Sequence, residues 1–439
     1  MIRWSRRLAA AALAVVGLTA LQPVAPAQAA SASGFYASNV VDGGQVDANN
    51  STYVYAPDLI YFGNKYYYFA CVGKSGDYIQ VKSATTLAGL NGAAFKTVLQ
   101  PEGGETHTCD PSVVRGDNGT WYLHYSNTPN GSTGAGVASS PTIDGTYTKI
   151  SRNLLGRYTG LTAGQYGRGQ TSVAQGSDGQ WYMAFTNQIE PYERNSIVVL
   201  RSPDPSFANT RTEVARINPG LIGGWSAHLT FDLQNNRFVF TVPNGNNEVG
   251  LAMFDTSFNY IGRETLPMPA GAGTPGEGQA LLKNAAGRVL TNTPSAPGHL
   301  VVAGATVGTR AGYPATVTGP NQYRRYAVNP IGPVPLVEAY GGGVHVAGWS
   351  FDPNDRSASL QTHVYISRTD GSGQEGTNLG PTAVDRPDVN SSQGTTGLHG
   401  FDSIVPTSLR GTVQVCIAAI NIGSGDNTWF GCQNVNITG

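Results

Sequence analysis

The sequence predicts an all-β protein, a five-bladed β-propeller followed by a small β-sandwich. Three observations lead to this prediction. Only 13% of the 439 residues are charged, whereas 57 are glycine and 21 are tyrosine, a composition that disfavours long amphipathic helices. A hairpin motif recurs five times between residues 58 and 290. Short strands with alternating apolar and polar residues follow a proline-rich stretch near the C-terminal end.

The N-terminal segment reads as a secretory signal peptide. Arg3, Arg6 and Arg7 precede an apolar run over 8–21, and Ala27-Gln28-Ala29 has the small-x-small pattern that signal peptidases recognise. The apolar run is shorter than the roughly 20 residues that a membrane-spanning helix needs. We therefore expect cleavage after residue 29 and a secreted, extracellular protein without a membrane span.

The charge of the exported chain excludes some classes of partner. Removal of residues 1–29 takes away three arginines and no acid, so the formal net charge changes from −1 to −4. A protein without a broad basic field is not expected to bind nucleic acid or an anionic membrane by electrostatic attraction. We expect a monomer.

Five segments of the chain share one layout: a polar residue, a short apolar run, a Gly/Asn/Asp turn and an aromatic or β-branched strand. The polar residues that open them, 52, 60, 58 and 51 positions apart, are Asp58, Asp110, Gln170, His228 and Gln279. A repeat of roughly this length, with Asn-Gly or Asp-Gly hairpin turns, is typical of a four-stranded propeller blade. The repeat predicts five blades over residues 30–329. Two β-sandwiches with similar hairpins are the alternative.

The C-terminal quarter predicts a separate domain. Residues 330–335 read Pro-Ile-Gly-Pro-Val-Pro and indicate a stiff linker. Residues 336–439 carry short alternating strands, which fit a β-sandwich accessory domain. Within it, the segment from Asp352 to Asp355 predicts an Asx turn, with a structural calcium ion as the alternative. We expect no other metal and no cofactor.

The four cysteines are expected to form disulfide bonds, because secreted proteins meet an oxidising environment. Cys71 and Cys109 lie close together in the chain, and so do Cys416 and Cys432. Local pairing is therefore the favoured choice among the three possible connectivities. A bond between the first two cysteines would fasten the first blade to the second.

The five polar openers also predict a binding site. The innermost strand of each propeller blade begins at one end of the central channel, so these side chains would form a polar cup of saccharide size. Aromatic or imidazole rings precede four of the openers and could stack on sugars or pack between blades. These ring residues are Tyr55, His107, Tyr166 and Trp225.

Two motifs carry a resemblance to a known family. The first motif is Tyr55-Ala56-Pro57-Asp58 and the second is Cys109-Asp110-Pro111-Ser112. With the hairpins that follow them, they resemble blade openings of the five-bladed glycoside hydrolases of family 43. This family includes arabinanases, α-L-arabinofuranosidases and β-xylosidases. The resemblance implies inverting hydrolysis of cell-wall polysaccharide that contains arabinose or xylose. Its mechanism uses a basic Asp, an acidic Glu and an Asp that tunes the pKa of the acid. By position, Asp58 would be the base and Asp110 the tuning residue.

The chain departs from the family pattern in the third blade. Gly167-Arg168-Gly169-Gln170 stands where the family carries its acidic Glu. Loop glutamates could replace that acid, and Glu105 and Glu277 lie closest to an opener. Arg168 could lower the pKa of the aspartates, bind a sugar carboxylate or offset the negative charge of the ring.

The departure leaves other hypotheses open. A glycan-binding propeller without catalytic activity is the main alternative. A lyase-like or transglycosylase activity that uses His107 or His228 as a base is a third hypothesis.

Overall fold

The computed structural model is all-β in the residues that it describes, which are 40–47, 54–73, 77–128, 133–158, 160–161, 165–233, 235–244, 248–267, 278–291, 293–296, 299–304, 321–327, 329–353, 355–422 and 427–438. The predicted signal peptide lies outside these ranges. No helix in the described part is long and apolar enough to span a membrane.

Residues 40–327 form five four-stranded antiparallel sheets. The first strand of the chain is β1 (Val40–Asp47). Sheet I contains β2 (Val54–Phe62), β3 (Lys65–Val72), β4 (Tyr78–Ala84) and β5 (Lys96–Leu99). Sheet II contains β6 (Thr108–Arg115), β7 (Trp121–Asn127), β8 (Gly134–Ser140) and β9 (Thr148–Ser151). Sheet III contains β10 (Gly167–Gln175), β11 (Trp181–Gln188), β12 (Ser196–Ser202) and β13 (Thr212–Ile217).

A short helix, α1 (Pro219–Ile222), leads into sheet IV, which contains β14 (His228–Asp232), β15 (Arg237–Asn244), β16 (Glu248–Phe254) and β17 (Tyr260–Pro267). Sheet V contains β18 (Gln279–Leu281), β19 (His299–Gly304) and β20 (Asn321–Ala327), and its fourth strand is β1. Sheet V thus joins the first described strand to the last strands of this region.

Hydrogen bonds connect each sheet to the next and close the five sheets into a ring. Three bonds join sheets I to IV directly, Val113 with Asp58, Val173 with Ser112, and Leu229 with Ser172. The segment that follows β18 of sheet V closes the ring, with bonds from Phe231 to Gly287 and between Lys283 and Leu59. The first strands of neighbouring sheets contact each other around the whole ring. These first strands therefore surround the axis.

Large aromatic side chains pack between neighbouring sheets. The ring centroids of Phe62 in sheet I and Trp121 in sheet II lie 4.9 Å apart. Those of Tyr182 in sheet III and Phe238 in sheet IV lie 4.7 Å apart. Because both faces of each sheet are covered in this way, few strand positions remain for charged residues, which accounts for the composition.

The remaining strands form two further sheets. They are β21 (Leu336–Tyr340), β22 (Gly343–Trp349), β23 (Gln361–Arg368), β24 (Gln374–Pro381), β25 (Val384–Asp385), β26 (Leu398–Pro406), β27 (Gly411–Ala419) and β28 (Thr428–Ile437), with the helix α2 (Pro387–Gln393) before β26. Sheet VI has the order β21-β22-β26-β25, and sheet VII has the order β24-β23-β27-β28. Apolar side chains of both sheets, such as Val346 and Val364, share one core.

Both predicted disulfide bonds are confirmed. Cys71 at the end of β3 is bonded to Cys109 in β6, so this bond connects sheet I to sheet II. Cys416 and Cys432 connect the adjacent strands β27 and β28.

The proline-rich segment is packed against the C-terminal sheets. Ile331 and Phe351 exchange backbone hydrogen bonds of 2.8 and 3.0 Å. The Thr428 hydroxyl donates to the Pro330 carbonyl oxygen at 2.6 Å. Residues 330–335 are therefore held by the domain that follows them.

The segment from Asp352 to Asp355 forms a backbone turn in its described residues, and the side-chain hydrogen bond of an Asx turn is made by Asp355, whose Oδ1 accepts the Ser357 N–H at 3.0 Å. The Asp355 N–H donates to the Asp352 carbonyl oxygen at 3.1 Å, and Asp352 Oδ2 accepts from the Ile422 N–H at 3.1 Å. Asn354 lies outside the described residues, and calcium binding at this turn stays a prediction.

Candidate active site

A left-handed backbone residue stands at or just before the start of each of the five innermost strands. These residues, with their φ angles, are Ala56 (50°), Asp110 (51°), Gln170 (52°), Ser226 (60°) and Gly278 (81°). In β2, β6 and β10 the strand register shifts at this point, as in a β-bulge. Four of the five are not glycine, so the conformation is costly and must be held by the surrounding structure.

These five residues line one cavity at the ring axis, together with neighbours that include His228. The cavity has about 30 Å³ of space. This is enough for about two water molecules and far below the roughly 300 Å³ of a pocket that encloses a small-molecule ligand. The cavity is therefore too small to enclose a ligand of that size completely.

The five predicted openers do not form a single ring. Asp110 and Gln170 are themselves left-handed residues, whereas Asp58 and His228 each lie two positions after the left-handed residue of their strand. Gln279 lies one position after it and is buried. Three of the five openers, Asp110, Gln170 and His228, line the cavity, whereas Asp58 and Gln279 are not among its described lining residues. The repeats align on the left-handed residue and not on the first polar residue.

Hydrogen bonds between sheets support this alignment. Three side chains that lie two residues after a left-handed residue each accept the backbone N–H of the next sheet. These acceptors are Asp58, Ser112 and Ser172. The position of Asp58 is thus one that connects sheets in this fold.

Asp58 is completely buried and binds three other sheets. Its carboxylate accepts the Val113 N–H of sheet II at 2.7 Å, and lies 2.9 Å from Lys283 Nζ of the sheet V region and 3.1 Å from His228 Nε2 of sheet IV. Burial raises the pKa of Asp58, but the Lys283 charge and the His228 hydrogen bond outweigh this effect and lower the pKa below its usual value. Asp58 is therefore ionised, and it is not among the described residues that line the cavity.

His228 connects this buried carboxylate to the cavity. A carboxylate only accepts hydrogen bonds, so Nε2 carries the proton that binds Asp58. Burial lowers the pKa of His228, and the Lys283 charge adds to this effect against the opposing influence of Asp58. The imidazole is therefore neutral, and its Nδ1 atom is buried without a hydrogen-bond partner among the described residues. This atom is a free acceptor on a residue of the cavity wall.

Asp110 is the only carboxylate among the described residues that line the cavity. The Tyr166 hydroxyl donates to its Oδ2 atom at 3.4 Å. Burial raises the pKa of Asp110 to about 6, with a contribution from the charge of Asp77, although hydrogen bonds from Ser126 and Tyr166 oppose the increase. A carboxyl group with this pKa can hold or release a proton near neutral pH.

Gln170 and Arg168 differ in their relation to the cavity. Gln170 lies on the wall, where its Oε1 atom accepts from the Thr186 hydroxyl at 2.7 Å. Arg168 instead forms an ion pair of 2.6 Å with Glu193 and donates to the Tyr158 hydroxyl at 2.9 Å. The guanidinium charge is therefore compensated by Glu193 and not by the two aspartates.

The glutamates considered as acids lie elsewhere. Glu105 has a side chain that is 1% exposed and forms an ion pair with Lys149. It also accepts from Tyr125 at 3.1 Å and Asn127 at 2.8 Å, and it is not among the described lining residues. Glu277 lies outside the described residues.

The predicted ring residues have mixed positions. Tyr55 is buried, and its hydroxyl contacts the sulfur of Cys109. His107 Nε2 forms a hydrogen bond of 2.7 Å with the Thr128 hydroxyl. Trp225 packs against the core between sheets III and IV. Of the four, Tyr166 contacts the cavity carboxylate directly.

The sequence interpretation missed Lys283, the buried cation of the site. Its only local signal is a lysine that directly follows the apolar run of β18, at Leu281-Leu282-Lys283. Its partner Asp58 stands at the other end of the ring region in the sequence, so the pair becomes visible only when the ring is closed.

No protein-family model matches the chain, and no curated protein sequence matches it. The chain is similar to solved structures of glycoside hydrolases, the class that its motifs resemble. An α-L-arabinofuranosidase from Podospora anserina in complex with cellotriose is 10% identical, with 65% of this chain and 97% of that chain covered and a TM-score of 0.47. An α-L-arabinofuranosidase from Lactobacillus brevis is 14% identical, with coverage of 64% and 92% and a TM-score of 0.45.

A thermostable family-43 glycoside hydrolase is 15% identical, with 68% of this chain and 95% of that chain covered and a TM-score of 0.44. The function is argued below from the residues of the chain itself.

Proposed function

We propose that the chain is a secreted, monomeric glycoside hydrolase that acts on cell-wall polysaccharide or oligosaccharides containing arabinose or xylose. In this proposal, sheets I to V are the blades of a five-bladed β-propeller, and sheets VI and VII form a β-sandwich accessory domain. The observation that carries the proposal is Asp110, a carboxyl group with a raised pKa on the cavity at the ring axis. Strongly shifted pKa values in a cleft are typical of catalytic groups.

Asp110 is proposed as the general acid. Its protonated carboxyl donates a proton to the glycosidic oxygen while the bond from that oxygen to the anomeric carbon breaks. A carboxyl with a pKa of about 6 retains its proton in mildly acidic solution and loses it readily to a leaving alkoxide. The hydrogen bond from Tyr166 fixes the orientation of the carboxyl.

His228 is proposed as the general base. Its Nδ1 atom has no other hydrogen-bond partner among the described residues and is shielded from solvent in this structure. In the proposed step a water molecule of the cavity comes into contact with Nδ1 and gives up a proton to it, and the water oxygen forms the new bond to the anomeric carbon. The ionised Asp58 holds Nε2–H and stabilises the imidazolium that forms. The protons return through solvent, so that Asp110 is protonated again and His228 is neutral. Direct attack by water predicts inversion of the anomeric configuration.

This mechanism differs from the pair of carboxylates that the family resemblance implies. Asp58 acts through His228 as a positioning residue and does not touch the substrate. The difference follows from the chain itself, because Gln170 on the cavity wall cannot donate a proton as a carboxylic acid does.

A glycan-binding propeller without catalysis is the second candidate. The observation that favours it is the single carboxylate on the described cavity wall, since glycosidases use two acid or base groups. The two candidates differ in whether bound polysaccharide is cleaved.

The deciding experiment measures reducing-sugar release from arabinan, xylan and arabinoxylan, with binding to the same polymers measured in parallel. We expect turnover by the wild type and a loss of at least about 100-fold in Asp110→Asn and in His228→Gln, in line with the usual contribution of a general acid or base. Asp117→Asn, in the exposed turn after β6, is the matched control and should retain full activity. Binding by the wild type without sugar release would refute the hydrolase, and loss of that binding in His228→Gln would select the glycan-binding propeller.

A further inference from the structure

The outer face of sheet VII has an unusual composition. Its inner face packs in the core shared with sheet VI, and the alternate residues of each strand point outward. In these four strands, all of which the structure describes, none of the outward residues is Lys, Arg, Asp or Glu. Several are amides: Gln361, Asn378, Gln414 and Asn434.

Aromatic rings lie among these amides. Trp429 on β28 is 56% exposed, and its ring centroid lies 5.2 Å from that of Tyr365 on β23. The ring of His363 follows at 6.2 Å from Tyr365, and its Nδ1 atom is 3.2 Å from the Tyr365 hydroxyl. The three rings adjoin one another with interplanar angles of 38° and 59°, and we call this row of rings the aromatic platform.

The strand register keeps the aromatic platform open. Gly376 lies opposite Tyr365 on the neighbouring edge strand β24. A Cβ atom at this glycine would stand 3.4 Å from the tyrosine ring. On the other side, Tyr365 lies opposite Cys416, whose disulfide to Cys432 continues the same row. Small groups therefore flank the ring on both sides.

Sheet VI provides a contrast within the same domain. Its outer face carries Glu338 and Asp402, and both bind His345, at 2.9 and 2.8 Å. Such an exposed ionic network is ordinary for a solvated sheet. The lack of charge on sheet VII is therefore a property of that face and not of the whole domain.

We propose that the outer face of sheet VII binds a neutral polysaccharide. A sugar ring has an apolar face of C–H groups and a rim of hydroxyl groups. Trp429 and Tyr365 match the apolar face by stacking, and the amides match the hydroxyls because they both donate and accept hydrogen bonds. A neutral ligand needs no counter-charge, and none of the outward residues of these four strands carries one.

A protein partner is less suited to this face. Among its described residues, Trp429 is the only large apolar side chain that is more than a third exposed. A stable protein interface buries roughly 800 Å² on each partner around an apolar centre. The amide-rich surroundings of a single tryptophan suit a sugar chain better. This proposal does not rest on the activity proposed for Asp110.

The test uses the whole protein and measures its depletion from solution by insoluble arabinoxylan, cellulose and chitin. We expect the wild type to bind at least one of them, and Trp429→Ala to weaken that binding about ten-fold. Trp429→Phe should retain most of it. Ile404→Ala is the matched control, because Ile404 is equally exposed on the outer face of sheet VI and should leave binding unchanged.

Two results would overturn the proposal. The wild type could bind none of the three polysaccharides, or Trp429→Ala could bind them as strongly as the wild type does. Sedimentation of the same variants tests the competing occupant, since loss of self-association in Trp429→Ala would make the face an interface between copies. Hydrolysis of soluble oligosaccharides separates the two proposals, because Trp429→Ala should keep the wild-type rate there while it loses binding to the insoluble polymer.

Discussion

The carboxylate of Asp58 and the ammonium group of Lys283 lie 2.9 Å apart, and neither side chain has any exposed surface. The pair joins sheet I to the segment after β18 of sheet V, where the ring closes. His228 of sheet IV donates a hydrogen bond to the same carboxylate. A buried ion pair of this kind adds little to the free energy of unfolding compared with an apolar pair of similar size. Removal of one partner, however, leaves the other charge buried without a counter-charge.

Asp58→Asn should therefore destabilise the fold strongly. We expect the free energy of unfolding to fall by about 3–5 kcal/mol, because Lys283 would remain buried without its counter-ion. Chemical denaturation measures this change, with Asp117→Asn as an exposed control. The double variant Asp58→Asn/Lys283→Met should recover part of the loss, and a single variant as stable as the wild type would contradict the role of the pair.

The sequence indicates much of the architecture and little of the ion pair. Hairpin turns and strands are local features, so the recurring layout predicted strands in the right places. The disulfide of Cys71 with Cys109 was predicted from export and from the closeness of the two cysteines in the sequence, and it is confirmed. The contact between Asp58 and Lys283 depends on closure of the ring between residues far apart in the chain. No local pattern encodes such a contact.

The alignment of the repeats shows a second limit of sequence reasoning. Asp58 and Asp110 both precede an apolar strand and appear equivalent in the sequence. A bulge places Asp110 on the cavity and Asp58 two residues deeper. The signal that could have shown this is the proline that follows the left-handed residue in both strands, Pro57 after Ala56 and Pro111 after Asp110, because alignment on these prolines pairs Asp58 with Ser112.

Asp110→Asn should make the protein more stable at neutral pH. The pKa of Asp110 rises to about 6 in the folded state from an ordinary 3.8, so the folded protein binds this proton more tightly than the unfolded chain. Stability from this group is present below about pH 4 and is lost as the pH rises through about 6.

The variant, which cannot ionise, should gain up to about 3 kcal/mol over the wild type at pH 8 and nothing at pH 3. Asparagine also tolerates the left-handed backbone at this position. Urea denaturation across this pH range measures the difference. A difference that does not change with pH would show that Asp110 has no raised pKa.

The pH dependence of hydrolysis should identify the acid. If Asp110 must be protonated, kcat/KM falls as the pH rises through about 6. On the acidic side, kcat/KM falls as His228 becomes protonated, because this residue must be neutral to accept a proton. The pKa of His228 is lowered from its usual 6.5. A bell-shaped profile is expected. Activity that increases through pH 6 and then stays constant would assign the role of base to Asp110.

Glu105→Gln tests whether the general acid is Asp110 or Glu105, the loop glutamate that the sequence also suggested. Glu105 neutralises Lys149, whose side chain is only 5% exposed, and binds Tyr125 and Asn127. The variant should lose about 1–3 kcal/mol of stability, because the nearly buried Lys149 would keep only the more distant carboxylate of Glu102, at 4.0 Å, as its counter-charge. Its alkaline limb near pH 6 should be the same as in the wild type, since Asp110 is unchanged. Loss of that limb in Glu105→Gln, with Asp110→Asn still active, would transfer the role of general acid to Glu105.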